Sequence, residues 1–274
     1  MSERGYTAIT GATDGIGRAL AERLAIRGEA LFVHGRDRLK LARLREELLA
    51  RGAYAVAFAA ADLASLEETR SLARAIAETA KPLRRLVLNA GTFYPTRRET
   101  PEGFEATFAV NALSPFWLTL ELACRSIYPE QILAVASMAH AERPQTDDLD
   151  LRRAYDGYRA YALSKLYLIA LTFELAERLA PFGVRVNAVH PGVIGTKLLH
   201  TYWGIGGAPV DAGAGNLLSV LEQVERQGIT GGYFHERLLS RAHSAAYDPR
   251  LRRELLAYIE RRTGGFPCPL PSPP

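Results

Sequence analysis

The chain has 274 residues, 48% hydrophobic and 23% charged, with a net charge of +4. That balance excludes wholesale disorder and collagen-like repeats, and the length suffices for a core that needs no metal or disulfide staples. No apolar run approaches the roughly 20 residues of a bilayer span, and the polar residues 1–6 lack a signal peptide's apolar stretch, so a cytoplasmic protein with no membrane span is expected.

Strand and helix signals alternate along the chain. Residues 6–10 are a short β-leaning run, and residues 15–27 read as a helix with Ile16, Leu20 and Leu24 four apart. Residues 30–34 form the second strand, after which Asp37 is placed to cap a charged helix ending near Arg51 and Gly52. A third strand at 54–58 is followed by a helix that Ser65 opens, with Glu67 and Glu68 in the first turn, where they complement the helix dipole. The fourth strand is 86–88. Residues 102–127 read as mainly helical despite Pro115, 132–136 as the fifth strand, and 159–180 as a long helix stopped by Pro181 and Gly183. Residues 184–189 are the sixth strand.

Repeated strand–helix units with apolar strands predict an α/β domain: a doubly wound parallel sheet with helices on both faces and right-handed crossovers. No Pro/Gly/Ser linker divides it, so residues 1–264 are expected to be one domain. Glycines 204, 206, 207, 213 and 215 mark a mobile segment within residues 194–215, and the Pro-rich residues 265–274 read as a frayed tail. Only Lys40, Lys81, Lys165 and Lys197 are lysines among the 34 basic residues. The arginines are spread along the chain and interleaved with glutamates, without the basic cluster and interleaved aromatics of a nucleic-acid surface, so no nucleic-acid partner is expected. Of the two cysteines, Cys124 is expected as packed core on an apolar helix face; a disulfide with Cys268 is possible, but a cytosolic protein has little need of one. The six histidines show no metal-ligand spacing, so no metal site is expected.

The segment Thr10-Gly11-Ala12-Thr13-Asp14-Gly15-Ile16-Gly17 lies between the first strand and the first helix, where doubly wound sheets bind dinucleotides. Glycines let the backbone turn and approach a pyrophosphate, and the helix start offers N–H groups and a positive dipole end. Tyr161 and Lys165, four apart on the long helix, share a face. An ammonium beside a phenol favours the phenolate and makes a tyrosine a workable acid/base. Alone such a pair is common on helix surfaces. Here Ser137 follows the fifth strand, Asn89-Ala90-Gly91 the fourth and Pro191-Gly192 the sixth, while Asn111 lies in the helix after the fourth. All fall at the ligand-binding end of the predicted sheet.

With these pieces the chain resembles the short-chain dehydrogenase/reductase family over roughly residues 6–259. The matching motifs are TGATDGIG at 10–17, Asp62-Leu63, NAG at 89–91, VNALSPFWLT at 110–119, VASMAH at 135–140, YALSK at 161–165 and VNAVHPGVIGTKLL at 186–199. The resemblance implies a Rossmann-type fold and an NAD(P)(H)-dependent oxidoreductase that interconverts a carbonyl and an alcohol. It implies Tyr161 as acid/base, Ser137 orienting the carbonyl, Lys165 lowering the tyrosine's pKa and holding the nicotinamide ribose, and Asn111 keeping a helix kinked and holding a water. Asp62 and Leu63 would meet the adenine, with Asn89, Ala90 and Gly91 beside its ribose. Pro191, Gly192, Val193 and Thr196 would hold the nicotinamide carboxamide and nearby phosphates, and Gly11, Thr13, Asp14, Gly15, Ile16 and Gly17 the pyrophosphate.

The 24-residue separation of Ser137 and Tyr161, with DDLDL at 147–151 and YDGYRAY at 155–161 inside it, is similar to the retinol-dehydrogenase-like and carbonyl-reductase group. The chain departs from the family in Leu88, where Asn is frequent, and in Asp14, where NADP-dependent members often carry a basic residue. The family also implies a homodimer or homotetramer through helices near 103–127 and 158–180.

The end of the second strand decides between cofactors, because an acid there binds a ribose hydroxyl and an arginine a 2′-phosphate. The resemblance puts Gly35 at the acidic position and Arg36 at the next, with Arg18 near enough to assist, so NADP(H) is expected to be preferred. Asp37 as a ribose acid keeps NAD(H) open. Leu198, Leu199, Tyr202 and Trp203 among the lid glycines, with Phe93, Tyr94, Met138 and Tyr158, point to a small apolar or aromatic substrate. His140 is a candidate pocket residue and His190 reads as structural. The alternative is a non-catalytic dinucleotide-binding regulator, which has no use for the Asn111, Ser137, Tyr161 and Lys165 set.

Overall fold

The computed structural model describes residues 5–204 and 206–270, with Tyr202 and Trp203 described in their backbone only. Among these residues eight strands form one sheet: β1 Tyr6–Ile9, β2 Ala30–Gly35, β3 Ala55–Ala60, β4 Leu83–Leu88, β5 Gln131–Val135, β6 Arg185–His190, β7 Tyr233–His235 and β8 Leu238–Ser240. Their order is β3-β2-β1-β4-β5-β6-β7-β8, all parallel except the final β7–β8 pair. The order reverses between β1 and β4, and at such a switch point the diverging connections open a crevice at the strands' carboxyl ends.

The helices are α1 Gly15–Ile26, α2 Arg38–Ala50, α3 Leu66–Thr79, α4 Ala106–Phe108, α5 Ser114–Ala123, α6 Gly157–Leu179, α7 Lys197–Trp203, α8 Val210–Gln227 and α9 Pro249–Thr263. Their starts follow local chemistry. Asp37 accepts from the N–H groups of Leu39 and Lys40, and Ser65 from that of Glu68, so both predicted caps form. Strands β2, β4 and β5 are almost wholly buried because helices cover both faces. Leu20, Leu24, Leu41 and Leu217 pack one face with α1, α2 and α8. Leu72, Ile76, Phe116, Leu166 and Leu255 belong to the larger cluster on the other. No helix among the described residues is long and apolar enough to cross a membrane.

Two backbone bonds cross the glycine-rich stretch after β6. Gly195 N–H bonds to Ala208 O at 2.8 Å, and Ala208 N–H to Val193 O at 2.8 Å. Gly213 and Gly215 lie inside α8, where a Cβ on Gly213 would meet Ile194 at 2.9 Å, so close packing explains that glycine. In the terminal segment the Phe266 ring packs against Phe116 and Trp117. Residues 271–274 lie outside the described residues. One expectation is corrected: Cys124 is no free core thiol; it forms a disulfide with Cys268, 144 residues away. Every residue of α5 is buried within the chain, partly under this terminal segment, so the helix named by the family resemblance for subunit contacts is already covered.

The insert between Ser137 and Tyr161 is held by α9. Asp150, 6% exposed, accepts from Tyr258 Oη at 2.6 Å and Arg262 Nη1 at 2.7 Å, and from the Glu105 N–H at 3.2 Å. Asp150→Ala leaves buried donors without an acceptor. We expect it to cost about 2–4 kcal/mol and to lower Tm by roughly 5–12 °C, read by calorimetry. A shift below about 2 °C would mean that the network adds no net stability.

Candidate active site

Contacts within the protein hold the loop from Gly11 to Gly17. Gly11 and Gly15 adopt φ of +66° and +54°, which a side chain resists. A Cβ on Gly17 would stand 2.4 Å from both Gly11 O and Asn89 Nδ2, so this glycine exists for close approach. Asn89 Nδ2 donates to Thr10 O at 3.0 Å and Gly11 O at 3.2 Å, while Thr10 Oγ1 accepts from the N–H groups of Asn89 at 2.9 Å and Ala90 at 3.0 Å. These bonds staple the β1 and β4 loops together. His34 completes the brace: its Nδ1 accepts from Gly11 N–H at 3.4 Å and its Nε2 donates to Ala61 O at 3.0 Å. Burial pulls its pKa down to about 4, so the ring stays neutral in the tautomer this pairing needs.

The staple borders a cavity of about 760 Å³ at the switch point. Of the predicted catalytic and cofactor residues, all line it except Gly17 and Asn111. Asn111 stands just behind, in a π-helical turn at Ala109–Leu113. Pro115 cannot donate to the Asn111 carbonyl, which interrupts the ordinary ladder there. The Asn111 side chain ties three segments: Nδ2 donates to Thr92 O and Ser164 Oγ, both at 2.9 Å, and Oδ1 accepts from Thr92 N–H at 2.7 Å.

Ser137 follows β5, where Ala139 N–H steadies its hydroxyl at 3.0 Å. That hydroxyl is hydrogen-bonded to Tyr161. Lys165 Nζ, one turn on, donates to Val135 O at 2.9 Å and lies 5.7 Å from the Tyr161 ring centre. Burial dominates the electrostatics. It pulls Lys165 down to about 8 and pushes Tyr161 above its ordinary value, an effect the Ser137 hydroxyl partly offsets. Burial thus opposes the depression of the phenol expected from a neighbouring ammonium.

The short chain dehydrogenase family matches residues 6–203. The chain belongs to this family. It is 34% identical to the polyprenol dehydrogenase of Mus musculus over 93% of this chain and 83% of that one. It is 32% identical to retinol dehydrogenase 14 of Homo sapiens, over 93% and 85%. A crystal structure of a Mycobacterium paratuberculosis protein superposes with a TM-score of 0.79 at 27% identity, covering 97% of this chain and 96% of that one. A short chain dehydrogenase of Burkholderia cenocepacia in complex with NADP gives 0.67 at 25% identity, over 89% and 98%.

Around Tyr161 and Lys165, Phe93, Tyr94, Met138, Leu198 and Leu199 line the cavity. Tyr158 packs edge-on against Phe93 at 5.2 Å instead. The side chains of Tyr202 and Trp203 lie outside the described residues. His140 is not a pocket residue: its Nδ1 donates to Ser137 O at 2.7 Å and its Nε2 accepts from His243 N–H at 2.9 Å, bracing the β5 end from behind. Arg18 turns away toward Glu22 and Glu47 on the α1–α2 side. The sequence reading passed over Thr10 and His34, whose only sign was a polar residue near the end of an apolar strand, and Lys197, which pairs with Asp14.

Proposed function

We propose that the protein interconverts a carbonyl and an alcohol on an apolar substrate, with NADP(H) preferred over NAD(H). The observation that carries this reading is the Ser137–Tyr161–Lys165 group within one cavity with the stapled glycine loop. The loop fits a dinucleotide: glycines stand where a Cβ would obstruct, and the start of α1 presents N–H groups and a positive dipole end. The nicotinamide supplies or takes up the hydride at the substrate carbon. Tyr161 donates the proton to the carbonyl oxygen, or removes it from the alcohol, while the Ser137 hydroxyl orients that oxygen. Lys165 places positive charge beside the phenol and would hold the ribose of a bound nucleotide, and Asn111 holds the kinked turn behind the cavity.

Two observations favour NADP(H). A Cβ on Gly35 would lie 2.7 Å from Thr13 Cγ2, so Thr13 fills the place of the acid that binds a ribose 2′-hydroxyl. Asp37 is committed to the start of α2, which leaves Arg36 as the charged residue lining the cavity there. Arg36→Ala is expected to weaken NADPH binding by roughly 10–100-fold and NADH binding hardly at all, in a nucleotide-fluorescence titration. Equal loss for both would assign Arg36 no part in the choice. The apolar lining, and relatives named for polyprenol and retinol, support an apolar alcohol or its carbonyl as substrate. Nucleotide oxidation and reduction across a panel of such alcohols and carbonyls tests the reading. Nucleotide binding without turnover would favour a non-catalytic regulator.

A further inference from the structure

The glycine loop and the segment after β6 meet across the cavity mouth at one charged pair. Lys197 Nζ, at the start of α7, lies 2.7 Å from Asp14 Oδ2 in the loop. Both residues line the cavity. Next to them the Thr196 methyl stands 3.4 Å from where a Cβ of Gly15 would be, so the two segments face each other at contact distance. The other Asp14 oxygen accepts the Gly15 N–H at 2.8 Å and caps α1. Lys197 holds the Asp14 carboxyl below its ordinary pKa, and Asp14 holds the ammonium above its own. The side chains are 80% and 59% exposed, which makes this a weak pair that exchanges readily.

A carboxylate suits a helix start, yet it repels the charge that the same start is built to receive. The pair resolves the conflict. We propose that Lys197 is a cofactor-binding residue, parked on Asp14 until a dinucleotide enters, when its ammonium transfers to the pyrophosphate and draws the segment carrying Leu198 and Leu199 over the cleft. This rests on the dinucleotide reading given above. A lysine's compact charge on a flexible stem can make such a transfer. Asp14 is then a competitor for Lys197, which accounts for an acid in a phosphate-binding loop.

The test is a double-mutant cycle on nucleotide affinity, read by NADPH and NADH fluorescence. Lys197→Met should raise Kd about tenfold, equally for both nucleotides, because both carry the pyrophosphate. Asp14→Asn should lower Kd by roughly threefold, since it removes a competing charge while asparagine still caps the helix. In the Asp14→Asn background, Lys197→Met should still weaken binding by about tenfold or more. Disappearance of its effect there would show that Lys197 only neutralises Asp14, and would overturn the proposal. So would wild-type binding that Lys197→Met leaves unchanged. If the folded wild-type protein binds neither nucleotide, the dinucleotide reading itself fails and takes this inference with it. Both substitutions are at exposed positions, and circular dichroism confirms that the variants are folded.

Discussion

Tyr161→Phe is expected to lower turnover of any substrate by roughly 10²–10⁴-fold while leaving nucleotide affinity within about twofold of wild type. The substitution removes one hydroxyl and keeps the ring, which packs 6.2 Å from Phe93 and stays buried. The site loses its proton donor but not its shape, so the loss falls on kcat. The wild-type pH profile carries the same information. Burial holds the Tyr161 hydroxyl protonated well beyond neutrality. Carbonyl reduction, which needs both the phenol and the Lys165 charge, should stay level from pH 6 to about 7 and fall above about pH 8, where Lys165 discharges. Alcohol oxidation needs the phenolate, so its kcat/KM should climb with pH up to that same limit. Retention of a tenth or more of wild-type turnover in the variant would remove Tyr161 from the chemistry.

That the tyrosine, the serine and the glycine loop were legible in the sequence, and the bracing around them was not, has a physical cause. Apolar runs such as Ile132 to Val135 announce buried strands, and Asp37 and Ser65 announce helix starts, because both signals act within a few residues. The strands at Tyr233–His235 and Leu238–Ser240 are only three residues long, too short for a periodic signal. Gly213 carries helix against its propensity, because close packing on Ile194 and Ile16 outweighs the entropic cost of glycine. The Cys124–Cys268 bond and the Asp150–Tyr258–Arg262 network join residues more than a hundred apart, so nothing local could signal them. His34 read as a strand residue. Its service to Gly11 exists only once β2 lies beside β1, with Ala8 opposite Phe32.

The same contrast bears on how the insert before Tyr161 works. Its acidic residues look like a solvated stretch, but Asp150 is buried, and the Asp150 carbonyl accepts from Arg97 Nε at 2.9 Å. Tyr155 Oη reaches Tyr94 O at 2.7 Å, and a Cβ on Gly157 would stand 2.7 Å from that same carbonyl. The start of α6 is therefore pressed onto the segment that carries Phe93 and Tyr94, which sets where Tyr161 points into the cavity. The 24-residue spacing is the length of chain needed to reach α9 and return.

Lys165→Met should make the protein more stable and much less active, a pairing that an ordinary core substitution does not give. Lys165 is 4% exposed and its pKa lies at about 8, below the ordinary lysine value of 10.5. Between those two values the unfolded chain binds a proton that the native state does not, so native stability rises with pH across that window. Below pH 8 the native state bears the whole cost of a buried ammonium, on the order of 3 kcal/mol. Methionine has a similar reach and no charge, so it removes that cost, offset in part by the donor that Val135 O loses. At pH 7 the variant is expected to gain about 1–2 kcal/mol, and the gain should fade toward pH 10 as the wild-type lysine discharges. Turnover should meanwhile fall by roughly 10²-fold or more, because the charge beside the Tyr161 phenol is gone. Thermal melts at pH 7 and pH 10 decide the matter. A variant less stable than wild type at pH 7 would show that the ammonium is well compensated where it lies. Greater stability with lost activity would show that the fold tolerates a misplaced charge because the reaction requires it there.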